Sequence, residues 1–263
     1  MSVVFVFFVF GLIVGSFLNV VVYRLKDAET ILGRSFCRKC HHQIRWYDNI
    51  PLFSFLLLWA KCRDCGERIS WQYPLLEFLT AVCFALVGRY FFDIFNSGTW
   101  LEAVWLLILI GLLLVIAAYD LLYMEIPVSL LVAGAILTIL FLGLDTLNGF
   151  NNSFFDRQMQ SLIGALTVGG LFFFLVFFSK ETWMGWGDVW LGALSGAMIG
   201  FSNVLFMMTL SFGIGAIVGV GLIVVQKKGL KTQVPFAPYL VTGTILTLFL
   251  PEMFPVFSRL FLY

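Results

Sequence analysis

The sequence contains little charge, and this scarcity decides the broad class of protein. Only 12% of its 263 residues are Asp, Glu, Lys or Arg, whereas 61% are hydrophobic and the mean hydropathy is +0.99. A soluble globular domain has about 45–50% apolar and about 25% charged residues. The low charge therefore excludes an ordinary soluble domain and indicates a membrane protein. We expect membrane lipid and no nucleic acid among its partners.

We do not expect a cleavable signal peptide in this sequence. Its first apolar stretch, residues 2–23, is too long and too rich in Phe for the short apolar core of such a signal. No small-residue cleavage site precedes the charged residues that follow. We therefore expect residues 1–23 to form a retained first transmembrane helix.

Eight apolar stretches are candidates for membrane spans. A hydrocarbon core of about 30 Å needs about 20 residues of helix, and backbone groups in lipid must be bonded within their own segment. The stretches are residues 2–23, 74–95, 101–119, 127–147, 161–178, 189–202, 204–225 and 238–257. The sixth is short, so it either tilts or merges with its neighbour around Gly200. The sequence predicts an all-α polytopic membrane protein of about eight transmembrane helices.

Basic residues predict the orientation, because Lys and Arg collect on the cytoplasmic side of a membrane. Nine of the sixteen lie between Arg24 and Arg68. If residues 24–73 are cytoplasmic, that side carries 13 of the sixteen, including Lys180 and the cluster Lys227, Lys228 and Lys231. Only Arg89, Arg157 and Arg259 fall on the other face. This orientation places Asp120 and Asp188 at the cytoplasmic ends of the third and sixth helices.

Two CxxC pairs lie in the polar segment, 21 residues apart: Cys37 with Cys40, and Cys62 with Cys65. Each pair can present two thiolates to one tetrahedral ion, so the spacing predicts a four-cysteine zinc ribbon with a structural metal. The alternative is a pair of disulfides, which a reducing cytoplasm disfavours. His41 or His42 could replace a thiolate, although we expect both to be solvent-exposed. Cys83 is expected to be a core residue.

Asp120 and Asp188 are the candidate catalytic residues. An acid at membrane depth costs roughly 2.5–3.5 kcal/mol at a helix centre, which makes it a functional candidate. Asp120 ends a long apolar helix shortly before Pro127, and Asp188 follows Gly185 and Gly187 at a helix start. Two carboxylates close together share one proton, as hydrolysis by an aspartic peptidase requires. The alternative is that each Asp only caps a helix.

Glu77 is a further site candidate because it lies near the cytoplasmic start of the second helix, although it could simply favour that helix N-terminus.

The motifs and their order resemble type IV prepilin peptidases, the leader peptidases of type IV pilins and type II secretion pseudopilins. The matching segments are GSFLNVVVYRL at 15–25, the two CxxC pairs around DNIPLFSFL at 48–56, ISWQYPLLEFLTA at 69–81, Asp120 before Pro127, GWGD at 185–188 and VPFAPYL at 234–240. The resemblance implies an eight-helix bacterial inner-membrane aspartic peptidase that cuts the basic leader of a prepilin at the cytoplasmic face. Its catalytic aspartates correspond to Asp120 and Asp188.

We expect the chain to have three parts: helix 1–23, a cytoplasmic zinc-binding domain at 24–73 and a transmembrane peptidase domain at 74–263. Many family members also methylate the new N-terminal amine with S-adenosylmethionine, but no motif for that cofactor can be named here. GLIVG at 11–15 lacks the strand, turn and helix of a nucleotide loop. The chain departs from the family pattern at Val128 and Trp190, which bears on substrate preference.

Two other functions fit a membrane protein with paired acids. A transporter would use Asp120 and Asp188 as proton or cation ligands, although no inverted repeat with matched broken helices is visible. A non-catalytic assembly factor would use its zinc domain to dock partners. A flux assay in proteoliposomes and the processing activity of Asp variants distinguish these functions from a peptidase.

Overall fold

A computed structural model describes residues 2–27, 29–147, 154–226 and 234–254, and the described residues are mainly helical. The α-helices are α1 (Ser2–Lys26), α2 (Phe53–Leu57), α3 (Gln72–Tyr90), α4 (Ser97–Tyr123), α5 (Val128–Leu147), α6 (Phe154–Ser179), α7 (Trp186–Ile199), α8 (Phe201–Gln226) and α9 (Ala237–Met253). A short 3-10 helix, Trp46–Asn49, precedes α2. Lys227, Lys228, Lys231 and Arg259, which entered the orientation argument, lie outside the described residues.

A helix begins or lies in each of the eight apolar stretches, but within the described ranges only six helices are long and apolar enough to cross a membrane. These are α1, α3, α4, α5, α6 and α8. The 14 residues of α7 span about 21 Å at 1.5 Å per residue, which is less than a hydrocarbon core of about 30 Å. The protein is a multi-pass membrane protein, and the predicted count of eight spans is not confirmed.

The chain divides into two compact units, Met1–Ala118 and Tyr119–Tyr263. In the first unit, α1 packs along α3. Gly11 and Gly15 make this packing close, since a Cβ on either would meet the backbone of Ala81 or Glu77 within 2.7 Å. Close approach through glycines is a common way for membrane helices to associate.

A single arginine organises the loop that follows α1. The buried guanidinium of Arg24 donates hydrogen bonds of 2.8–3.4 Å to five consecutive backbone carbonyls, those of residues 30–34. Gly33 lies in this loop with φ of +122°, a conformation that glycine adopts without steric cost. The loop is therefore wrapped around one side chain at the entrance to the cysteine segment.

In the second unit, α7 packs against α5, α6, α8 and α9. Gly192 and Gly196 face α6, and the backbones of Gly196 and Gly164 are so close that a Cβ on either would overlap the carbonyl oxygen of the other. Gly200 then ends α7 with φ of +76°, and α8 begins at the next residue. This packing fixes α7, and Asp188 lies in its first turn.

Candidate active site and metal centre

Asp120 lies in the last turn of α4 with its side chain buried, since only 5% of the residue is exposed. Its Oδ2 accepts a hydrogen bond of 3.1 Å from the backbone N–H of Ala237. Ala237 is the first residue of α9, whose N-terminal amide groups carry partial positive charge. One carboxylate therefore lies at the N-terminus of another helix, 117 residues away in sequence.

Asp188 lies in the first turn of α7 and is likewise buried, at 9% exposed. Its Oδ2 accepts a hydrogen bond of 3.1 Å from the backbone N–H of Gly185, the residue that precedes the helix. Its own N–H donates to the Gly185 carbonyl, also at 3.1 Å. The second carboxylate thus lies at a helix N-terminus as well.

The two carboxylates that the sequence singles out lie close enough for the charge of Asp188 to act on Asp120. Both belong to the second unit of the chain. They are buried acids with a single backbone N–H donor described for each. The structure therefore brings the predicted pair together.

Gly187 lies against the loop that follows Asp120. A Cβ there would lie 2.9 Å from Cβ and 3.1 Å from Cδ1 of Ile126. Because Gly187 has no side chain, the loop that follows Asp120 can pack against it. In this loop Met124 has a positive φ of 53°. Around Gly185, in contrast, a Cβ would meet nothing closer than the Gly187 nitrogen at 4.0 Å.

The four cysteines of the polar segment form one cluster. Their sulfur atoms all lie within 4.8 Å of one another, and Cys37 Sγ is 3.8 Å from Cys65 Sγ. A zinc ion with Zn–S distances of about 2.3 Å in a tetrahedron requires S–S separations of roughly 3.8 Å, so the cluster fits that ion. All five cysteines are free thiols, and Cys83 is a buried core residue.

The two knuckles of the cluster have the same backbone geometry. The pairs Phe36–Gln43 and Lys61–Arg68 each form an isolated antiparallel bridge around one CxxC motif. His41 takes a positive φ of 56° in the first knuckle, where Gly66 takes 71° in the second. The ring of His41 stacks on Phe36, and neither His41 nor His42 belongs to the thiol cluster.

Hydrogen bonds and ion pairs hold the cluster in place. Burial would raise the pKa of Cys37, but hydrogen bonds from the backbone amides of Cys40 and Lys39 help to lower it to about 7. Lys39 in the first knuckle forms an ion pair with Glu67 beside the second. Arg63 in the second knuckle pairs at 2.6 Å with Asp48 of the 3-10 helix. Side chains that would not bind the metal thus help to hold the four cysteines in place.

Sequence reasoning did not identify Ala237 as a partner of Asp120, or Ile126 as a neighbour of Gly187. Ala237 lies in the VPFAPYL segment, which is one of the segments that carry the family resemblance, so the importance of the segment could be recognised. The donor itself is a backbone N–H, which no residue type reveals. The two departures from the family pattern, Val128 and Trp190, have exposed side chains. Glu77 is buried and accepts a hydrogen bond of 2.8 Å from the backbone N–H of Leu52.

The fold and these two sites define a polytopic helical membrane protein with a buried carboxylate pair and a four-thiol cluster. Two family models match the chain: the bacterial peptidase A24 N-terminal domain over residues 9–91 and the type IV leader peptidase family over residues 107–220. The chain belongs to the type IV leader peptidase family.

Curated relatives agree with this assignment. The chain is 33% identical to a protein of Pseudomonas putida, covering 94% of this chain and 90% of the relative. It is 32% identical to one of Bacillus subtilis, covering 92% of each, and 36% identical to one of Myxococcus xanthus, covering 86% of this chain and 65% of the relative. All three are named prepilin leader peptidase/N-methyltransferase. No solved structure matches the chain.

Proposed function

We propose that this protein cleaves the basic leader of prepilins or pseudopilins at the cytoplasmic face of the bacterial inner membrane, and then methylates the new N-terminal amine. Asp120 and Asp188 are the catalytic pair of this proposal. The observation that carries it is the burial of two carboxylates within electrostatic reach of each other, each accepting a backbone N–H at a helix N-terminus. The names of the relatives support both activities and do not favour a transporter or an assembly factor.

The chemistry follows from the proximity of the two acids. Like charges at short range do not both ionise easily, so the pair holds one proton between them. The ionised carboxylate takes a proton from the attacking water, and the protonated one donates a hydrogen bond to the scissile carbonyl. The hydrogen bonds from Ala237 and Gly185 orient the two groups for these roles.

Depth in the membrane is part of the proposed specificity. Basic residues remain in the cytoplasm, so the leader of the substrate stays there while its apolar segment lies in lipid. Aspartates at the cytoplasmic ends of their helices then meet only a peptide bond near that plane. Open space around Gly185 leaves room for an extended substrate strand next to Asp188.

Residues 24–73 are proposed to be a cytoplasmic zinc-binding domain, and residues 74–263 a transmembrane peptidase domain that follows the first helix at 1–23. Cys37, Cys40, Cys62 and Cys65 would hold the ion. Four thiolates fill a tetrahedral zinc, so the metal would stabilise the fold of the domain and leave no position for substrate.

One experiment tests both activities. The purified protein is incubated with a prepilin, with and without S-adenosylmethionine, and the product mass is measured. Loss of a leader-sized fragment supports the peptidase, and one further methyl group on the product supports the transferase. Intact prepilin under both conditions would contradict the proposal.

A further inference from the structure

An uncharged run of twelve residues, 49–60, lies between the two cysteine pairs. Asp48 precedes the run and Lys61 follows it, so the run is set into an otherwise highly charged segment. An apolar stretch of this length is too short to cross a membrane and is typical of a buried core helix or of an interfacial segment. The exposure of its side chains distinguishes these two alternatives.

Helix α2 lies within this run and exposes an apolar face. Phe53, Leu56 and Leu57 have the spacing of one face of a helix, and each is at least 65% exposed. Trp59, which follows the helix, is 85% exposed. Large apolar side chains gathered on a protein surface mark an interaction site, and tryptophan favours the boundary between membrane and water. The run is therefore not a buried core helix.

The opposite face of α2 is held by the protein itself. The buried ring of Phe55 meets the ring of Trp71 edge-on, with centroids 5.0 Å apart. The hydroxyl of Ser54 donates to the carbonyl of Tyr47 at 2.9 Å and accepts the N–H of Ile50 at 3.0 Å. These contacts fix the orientation of α2, so its apolar face stays directed outward.

Glu77 fixes the level of α2 along α3. Its buried Oε2 accepts the N–H of Leu52, the residue before α2, at 2.8 Å. Glu77 lies five residues, or about 7.5 Å, beyond the first residue of α3. The 19 residues of α3 span about 28 Å, so almost all of them are needed to cross a hydrocarbon core of about 30 Å. Helix α2 therefore starts level with the first turns of a membrane span.

Helix α1 places Glu77 at membrane depth independently. A Cβ on Gly15 would lie 2.7 Å from Cα of Glu77, and Asn19 Nδ2 donates to the carbonyl of Tyr73 at 3.1 Å, so α1 and α3 run antiparallel. The first charged side chain of the chain, Arg24, comes nine residues after Gly15, or about 13 Å further along α1. Glu77 thus lies beside the uncharged part of a membrane helix, well below the level of Arg24.

The backbone of the run meets the requirement that lipid imposes. Backbone polar groups in the apolar part of a membrane must be bonded within the protein. The N–H of Leu52 donates to Glu77, and the N–H of Ile50 donates to Ser54. The N–H groups of residues 53, 54, 56 and 58–61 donate to carbonyl oxygens of the run itself.

We propose that residues 50–60 insert the apolar face of α2 into the lipid bilayer beside α3, at the boundary between headgroups and acyl chains. The partner of this face is the lipid of the membrane that α1 and α3 cross. An apolar helix face commonly lies about 5–10 Å deep at this boundary, which agrees with the level of Glu77. The cysteine cluster that flanks the run is thereby held against the membrane surface, and Glu77 tethers the inserted segment. The inference follows from the membrane fold and does not require the proposed peptidase activity.

The test places the photocrosslinking residue p-benzoylphenylalanine at single positions of the full chain in vesicles of phosphatidylethanolamine and phosphatidylglycerol. Adducts are identified by mass spectrometry after irradiation. Leu57→p-benzoylphenylalanine should form phospholipid adducts within about threefold of the yield at Ile13, an exposed position of the α1 span. Gln43 is exposed in the same cysteine segment but outside the uncharged run, and the same substitution there should give at most about a tenth of that yield.

Other occupants of the apolar face would give different adducts. Crosslinking of position 57 to a second copy of the chain, to residues 119–263 of the same chain or to an added prepilin would overturn the lipid assignment. A phospholipid yield at position 57 no higher than at position 43 would overturn it as well.

Glu77→Ala tests the tether, and Glu77→Gln is the matched control because its amide oxygen can still accept the N–H of Leu52. We expect amide hydrogen exchange of residues 50–60 in vesicles to become at least about fivefold faster in Glu77→Ala and to stay within about twofold of wild type in Glu77→Gln. Exchange of α1 should be unchanged in both variants. Exchange within twofold of wild type in Glu77→Ala, or equal acceleration in the two variants, would overturn the role of Glu77.

Discussion

The backbone N–H of Ala237 lies 3.1 Å from Oδ2 of Asp120, which joins the end of α4 to the start of α9. Asp188 has the same relationship to the start of α7 through Gly185. Partial positive charge at a helix N-terminus favours a carboxylate there. The two carboxylates are therefore held by two helix N-termini. Substitutions can remove the proton transfer of a carboxylate while leaving its hydrogen bond to the backbone in place.

Asp120→Asn and Asp188→Asn should each abolish leader cleavage, with a loss of about 1,000-fold or more. The amide retains an oxygen that can accept the same backbone N–H, so the fold should persist while the proton transfer is lost. The measurement is product mass after incubation with a prepilin.

The exposed Asp156→Asn serves as the control for these variants and should cleave at the wild-type rate. More than a trace of activity in either Asp120→Asn or Asp188→Asn would refute the assignment of the pair.

Substitutions of the two glycines before Asp188 should have opposite outcomes. A side chain at Gly187 overlaps Ile126, and overpacking of this kind costs about 1–3 kcal/mol, so Gly187→Val should impair cleavage but not membrane insertion. Gly185→Ala enters open space with a backbone φ of −92° that alanine accepts, and it should retain activity. Equal activity of the two variants in a cleavage assay would count against the packing of Ile126 on Gly187.

The purified protein should contain about one zinc per chain, as measured by elemental analysis. Cys37→Ser or Cys62→Ser should release the ion, because a tetrahedral site does not close with three thiolates. Cys83→Ala is the matched control, since this cysteine is buried away from the cluster, and it should keep the metal. A wild-type protein without zinc or another transition metal would contradict the ribbon.

The ion pair between Asp48 and Arg63 should make zinc retention depend on pH. The hydrogen bond from Arg63 holds the pKa of Asp48 below its ordinary value, so the pair stabilises the folded domain above that value. The stabilisation is lost as the pH falls through the lowered pKa. Since Arg63 is partly exposed, the effect should be at most about 1 kcal/mol.

Asp48→Asn should therefore release zinc to a chelator up to about fivefold faster than wild type at pH 7. The ratio of the two rates should begin to fall below about pH 4 and should approach one only as the pH passes through the lowered pKa of Asp48, where the wild-type carboxyl is protonated as well. The exposed Asp64→Asn should show no such change. A ratio of the two rates that increases as the pH falls would contradict a stabilising ion pair between Asp48 and Arg63.

Moving the scissile bond several residues deeper into the apolar segment of the substrate should prevent cleavage, because the aspartates are proposed to meet only bonds at the cytoplasmic plane. Cysteine labelling at position 188 tests the same geometry and should report access from the cytoplasm. Efficient cutting of the displaced bond, or labelling only from the opposite side, would refute it.

The sequence predicted those features that composition and spacing encode. Long apolar runs predicted the helices, and the CxxC spacing predicted the thiol cluster, because a knuckle is a local structure. The span count was less secure, since an apolar run such as 189–202 does not reveal that Gly200 ends the helix after 14 residues. The contacts of Asp120 with Ala237 and of Gly187 with Ile126 depend on tertiary packing, which no local pattern specifies.

The five carbonyls around Arg24 have a consequence for which substitutions the loop can tolerate. Residues 30–34 contribute only backbone oxygens to this contact, so the conformation of the loop depends on a guanidinium from the preceding helix. Lysine carries three donors on one nitrogen and lacks the planar fork of arginine, so it would not serve the same carbonyls. The shape of the loop therefore depends on one side chain of α1. Through Arg24, the end of the first helix and the start of the cysteine segment are tied together by backbone carbonyls alone.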